Sequence, residues 1–212
     1  MSVDHLMANF HASDPPSELI KSSKEACTHL GFSHNWSETE TNDGLHTYKT
    51  SFHDRTISLT FDFGAEIQPN LVLLVNFREH LSPSYWEKNN HYREFFDASI
   101  NLLCELSTIL NSEYVGLLSE SEYDTIVPSN SPIYENIDKI SRIGIYSESL
   151  LQDFGGLAGL FEEPRWEYPQ PPWRVGELDD GSLLVITHPK PWIDGGWTES
   201  SYLDLRAGEE YF

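Results

Sequence analysis

The sequence predicts an α+β fold: a mostly antiparallel sheet with helices packed on it, plus a C-terminal strand-helix-hairpin unit. Three observations predict it. Residues 46–63 alternate apolar and polar side chains, the period of a strand with one buried face. "NHYREFFDASINLLCELSTIL" carries apolar residues at helical spacing over about five turns. Asp179-Asp180-Gly181 stands between "RVGEL" and "SLLVITH", the pattern of a hairpin turn between two strands. A length of 212 residues fits a single domain.

In chain order, residues 6–12 read as a first strand. In "DPPSELIKSSKEACTHLG", Leu19, Ile20, Ala26, Cys27 and Leu30 share one helical face. Pro15 and Pro16 suit the start of that helix and Gly31 its C-cap. Residues 32–46 are polar and read as irregular. "HTYKTSF", "TISLTFDFG" and "PNLVLLVNF" follow as three strands. Ile57, Leu59, Phe61 and Phe63 fall on one face of the second, and the continuous apolar run of the third suggests cover on both faces. Turns at Asn42-Asp43-Gly44, His53-Asp54-Arg55 and Pro69-Asn70 make these strands a meander.

The long helix at about 90–110 buries Phe95, Phe96, Ser99, Leu102, Leu103, Leu106 and Leu110. "EYVGLLS" reads as a strand. Residues 119–137, rich in Ser, Pro and acid, read as a loop. "RIGIYSESLLQDFGG" reads as a strand, a cap and a short helix. Ser147 is the N-cap, because its hydroxyl accepts a free backbone N–H. Glu148 stands where the helix dipole favours negative charge, and Gly155-Gly156 end the helix. A Trp/Pro-rich loop at 162–173 leads into the hairpin.

Composition narrows the function. The 34 acidic residues outnumber the 13 basic ones, for a net charge of −21. Such a surface disfavours nucleic acid, whose phosphates need Lys and Arg clusters, and disfavours anionic membranes. Two readings of the acidity stand: a solvated surface suited to solubility or to a salty cytoplasm, and a surface matched to a basic protein partner. "MSVDHLMANFHAS" lacks the basic start and apolar run of a signal peptide, so the expected location is cytoplasmic. Cys27 and Cys104 sit among apolar residues at helical spacing, which favours buried free thiols over a single disulfide.

No motif carries catalysis. Asp-Phe-Gly occurs at 62–64 and 153–155, yet the glycine-rich loop, strand lysine and His-Arg-Asp loop of a kinase are missing. Neither a Gly-x-Ser-x-Gly elbow nor a Walker A loop is present. The nine histidines form no His-Glu-x-x-His pattern. His11, His46, His53 and His188 lie near strand ends, a weak basis for metal binding. The expectation is therefore no catalytic residue, no metal and no cofactor.

The last third is richer in binding chemistry. Trp166, Tyr168, Trp173, Trp192 and Trp197 fall in Pro- and Gly-rich loops where no periodicity demands them as core. Trp and Tyr are common binding anchors; the alternative is that they cap the end of the sheet. Glu162 and Glu163 stand beside them, and carboxylates near aromatic platforms also suit a sugar hydrolase. These seven residues are the expected partner-binding set. A structural or adaptor role in a larger assembly is a third reading.

"RIGIYSESLLQDFGG" followed by "VGELDDGSLLVITHPKPWIDGG" is similar to the end of type VI immunity-like proteins of polymorphic toxin systems. Phe154-Gly155-Gly156, Gly181-Ser182-Leu183-Leu184, Pro189 and Asp194-Gly195 fill the family's places. Thr187 and His188 replace its small residues before the exit proline, its Gly-Asp order is reversed, and the 164–173 insert is foreign to it. The resemblance covers about 60 residues well. It implies a non-enzymatic protein that neutralises a toxin by direct binding, and the acidity would suit a basic toxin.

Overall fold

The computed structural model describes residues 6–11, 15–40, 45–52, 55–62, 70–75, 91–118, 133–162, 165–166 and 171–187. The elements run β1 (Leu6–His11), α1 (Pro16–His29), β2 (Ser37–Glu40), β3 (Leu45–Phe52), β4 (Arg55–Asp62), β5 (Asn70–Val75) and α2 (His91–Ile109). They continue β6 (Tyr114–Leu118), α3 (Ile133–Asn136), β7 (Ile143–Tyr146), α4 (Glu148–Asp153), α5 (Gly156–Leu160), β8 (Arg174–Glu177) and β9 (Leu183–Ile186). The fold is α+β. Among the described residues, nine strands join one sheet in the order β2-β3-β4-β5-β1-β6-β7-β9-β8, and their pairings are antiparallel.

The N-terminal half of the sheet is the meander that the alternation predicts, with one strand more. Ser37–Glu40, within the stretch expected to be irregular, pairs with Thr47, His46, Tyr48 and Lys49 as an edge strand. Its sequence, SETE, has no apolar residue to announce it. Tertiary contacts position it instead. The Tyr48 hydroxyl donates to Glu38 Oε1 at 2.8 Å, and Lys24 on α1 seats its Nζ 3.5 Å from the centre of the Tyr48 ring. The same ammonium lies 5.7 Å from the Trp36 ring centre. A cation over an aromatic face contributes about 0.5–2 kcal/mol, so Lys24 ties α1 to the β2–β3 edge. Burial pulls the Lys24 pKa down, and the Glu38 carboxylate offsets part of that.

One sheet face carries α1 and α2. Leu19, Ala26 and Cys27 of α1, and Leu102, Leu103 and Leu106 of α2, share a core with Ile57, Leu59 and Phe61. Each buried Leu, Ile or Phe removes enough apolar surface from water to contribute roughly 1.5–3 kcal/mol. Phe95 and Phe96 fall on α2, but their side chains lie outside the described residues, as does Phe63. Pro15 is the N-cap of α1 with Pro16 at N1, and Gly31 takes the left-handed φ of 85° just past its end.

In the C-terminal half of the sheet, β6, β7 and β9 are covered on both faces. Along β6, Val115 and Leu117 face α2, while Tyr114 points to a second core. That second core joins Tyr114, Tyr146 and Val185 to Ile137, Ile140, Leu150, Phe154 and Leu160. Strand alternation makes the two cores opposite faces of one sheet. The loop expected at 119–137 ends in the short α3, and residues 119–132 lie outside the described set.

Ser147 caps α4 as expected, its hydroxyl accepting the Leu150 N–H at 3.2 Å. Gly155 and Gly156 end α4 with φ of 84° and 82°, and the chain at once restarts as α5, a helix the sequence did not announce. Gly159 on α5 is held against the Phe154 carbonyl so closely that no Cβ fits. Arg165 then donates through Nε and Nη2 to the Gly159 carbonyl, at 3.1 and 2.5 Å.

Candidate functional site

β6 and β9 start, and β7 and β8 finish, at the same end of the sheet, because all their pairings are antiparallel. The residues flanking those strand ends are acidic. Glu113 precedes β6, Glu148 follows the β7 end at Ser147, and Glu177 closes β8. Asp179 and Asp180 fill the β8–β9 turn, and Asp153 closes α4. All six are exposed. Arg174 and Arg142 lie at the other end, Arg174 opposite Ile186 and Arg142 beside Thr187. Among the described residues, the first end thus carries six carboxylates and the second carries Arg142 and Arg174.

The acidic end is built from short-range bonds. The Ser147 N–H donates to the Glu113 carbonyl at 3.0 Å, which joins the start of α4 to the start of β6. Leu178 and Ser182 close the hairpin through a 2.8 Å bond, and the Gly181 N–H donates to the Leu178 carbonyl at 3.0 Å. Gly181 has φ of 81°. This is a three-residue hairpin loop with a left-handed glycine, as the Asp-Asp-Gly sequence predicts. Asp180 anchors it twice: Oδ1 accepts the Ser182 N–H at 2.9 Å, and Oδ2 accepts the Thr108 hydroxyl of α2 at 3.1 Å.

These surroundings set the charge states. Burial pushes the Asp180 carboxyl up, but the bonds from the backbone and side chain of Ser182 and from Thr108 outweigh it and hold the pKa below the usual value. Glu113 goes the other way: burial raises it, and the nearby Asp153 charge raises it further. Glu113 and Asp153 thus repel each other, an interaction that a cationic surface would relieve.

Of the five aromatic residues expected to bind a partner, the two that the structure describes, Trp166 and Trp173, are not brought together. Trp173 is 9% exposed and belongs to the core shared with α1 and α2; its N–H donates to the Thr187 carbonyl at 3.3 Å. Trp166 is half-buried against the second core, edge-on to Phe161 with ring centres 5.2 Å apart. The two tryptophans sit with different cores on opposite sheet faces. Glu162 is exposed beyond α5. Tyr168, Trp192, Trp197 and Glu163 lie outside the described residues.

Both cysteines are free. Burial pushes each thiol up to about 12, with Glu105 adding to the shift at Cys27 and Asp180 at Cys104, where Arg174 opposes it. A thiol held so far from ionisation is a poor nucleophile at neutral pH. Among the described residues, no group of three or more His, Cys, Asp or Glu side chains is placed to hold a metal ion. Nor, among them, is any helix long and apolar enough to cross a membrane. His46 lies 4.0 Å from Glu38 through Nδ1; His53 and His188 fall outside the described set.

No model of a known protein family matches the chain, and no curated protein matches it.

Proposed function

We propose that this chain is a non-enzymatic, cytoplasmic binding protein of the immunity type, which neutralises a toxin by docking a basic surface of it. The observation that carries this reading is the grouping of six carboxylates at one end of the sheet. Glu113, Glu148, Asp153, Glu177, Asp179 and Asp180 share one sheet end, with Arg142 and Arg174 at the other. A single-signed rim steers an oppositely charged partner and raises its association rate. The net charge of −21 supports the same partner chemistry, and the resemblance of residues 142–197 to immunity-like proteins supports the toxin class.

The test is titration of the purified protein with a basic protein encoded by a neighbouring gene, at two salt concentrations. The variant Glu148→Lys/Asp153→Lys/Glu177→Lys is compared with wild type. Wild type is expected to bind and to protect cells that express that partner. The variant should associate on the order of tenfold or more slowly, with a weaker salt dependence. Absence of wild-type binding, or an unchanged rate in the variant, would overturn the reading.

A further inference from the structure

We draw no further inference here: the strongest candidate, the band of carboxylates at the sheet end around Glu113, Glu148, Asp153 and Asp180, belongs to the surface already assigned to the partner, and no second observation beside the acidic cluster points to a ligand there.

Discussion

Gly116 and Gly144 stand directly opposite each other on β6 and β7, and each lies beneath the ring of a tyrosine two residues away on its own strand. A Cβ on Gly144 would come within 2.6 Å of the Tyr146 hydroxyl oxygen and 2.7 Å of its ring. A Cβ on Gly116 would meet the Tyr114 hydroxyl oxygen and Ser141 Oγ. The glycine pair opens a trough in the sheet face, and two rings 5.5 Å apart fill it. Ser141 completes the arrangement: its hydroxyl bonds the Tyr114 hydroxyl, and its N–H donates to the Tyr146 hydroxyl at 3.3 Å.

Gly144→Ala should therefore overpack the second core. Small-to-large changes of this kind cost about 1–3 kcal/mol, and urea denaturation should show the midpoint falling by that equivalent. Combining it with Tyr146→Ala should remove most of the added cost, because the clashing ring is gone. Strict additivity of the two changes would show that the ring does not cover the glycine.

Two carboxylates at the acidic end should give stability–pH profiles of opposite sign. The Glu113 pKa is raised by burial and by Asp153, so its contribution is favourable below the unfolded value, about 4.3, and turns against the fold as pH rises through the folded value. Glu113→Gln should match wild type at low pH and exceed it at pH ~7. Asp180 is depressed once its hydrogen bonds outweigh burial. Its stabilisation is present above the unfolded value, about 3.9, and is lost as pH falls through the lower folded value. Asp180→Asn should be the weaker protein at neutral pH, and the gap should close in acid. Thermal melts across pH read both; profiles of the same sign would contradict the geometry.

Trp173→Ala should behave as a core deletion. Truncating a buried Trp typically costs about 3–5 kcal/mol, whereas Glu162→Ala, at an exposed position, should change stability by less than about 0.5 kcal/mol. Chemical denaturation of the two variants separates a packing role for Trp173 from a purely surface one.

The two thiols should be inert in the native protein. With Cys27 and Cys104 both held up to about 12 by burial, a thiol-specific chromogenic reagent at pH ~8 should react slowly. In denaturant it should titrate both, since both are free. Fast native reaction at either would show that its helix face opens readily.

What the sequence determined by itself is local. The alternation of Ile57, Leu59 and Phe61 marks a strand with one buried face, and all three are fully buried. The stripe of Leu102, Leu103 and Leu106 marks a core helix, Ser147 the cap of α4, and Asp179-Asp180-Gly181 the β8–β9 turn, because periodicity, capping and left-handed glycine act over a few residues. β2 was illegible because SETE has no apolar period; its pairing with β3 and the Lys24–Tyr48–Glu38 contacts hold it. Trp173 read as a loop residue because it precedes its strand, yet the closing sheet buries it. The acidic end was equally hidden. Glu113, Glu148, Asp153, Glu177 and Asp179-Asp180 are spread over 68 positions, 113–180, and only the antiparallel order β6-β7-β9-β8 brings their strand ends together. Long-range pairing, which no local pattern encodes, decided where the charge collects.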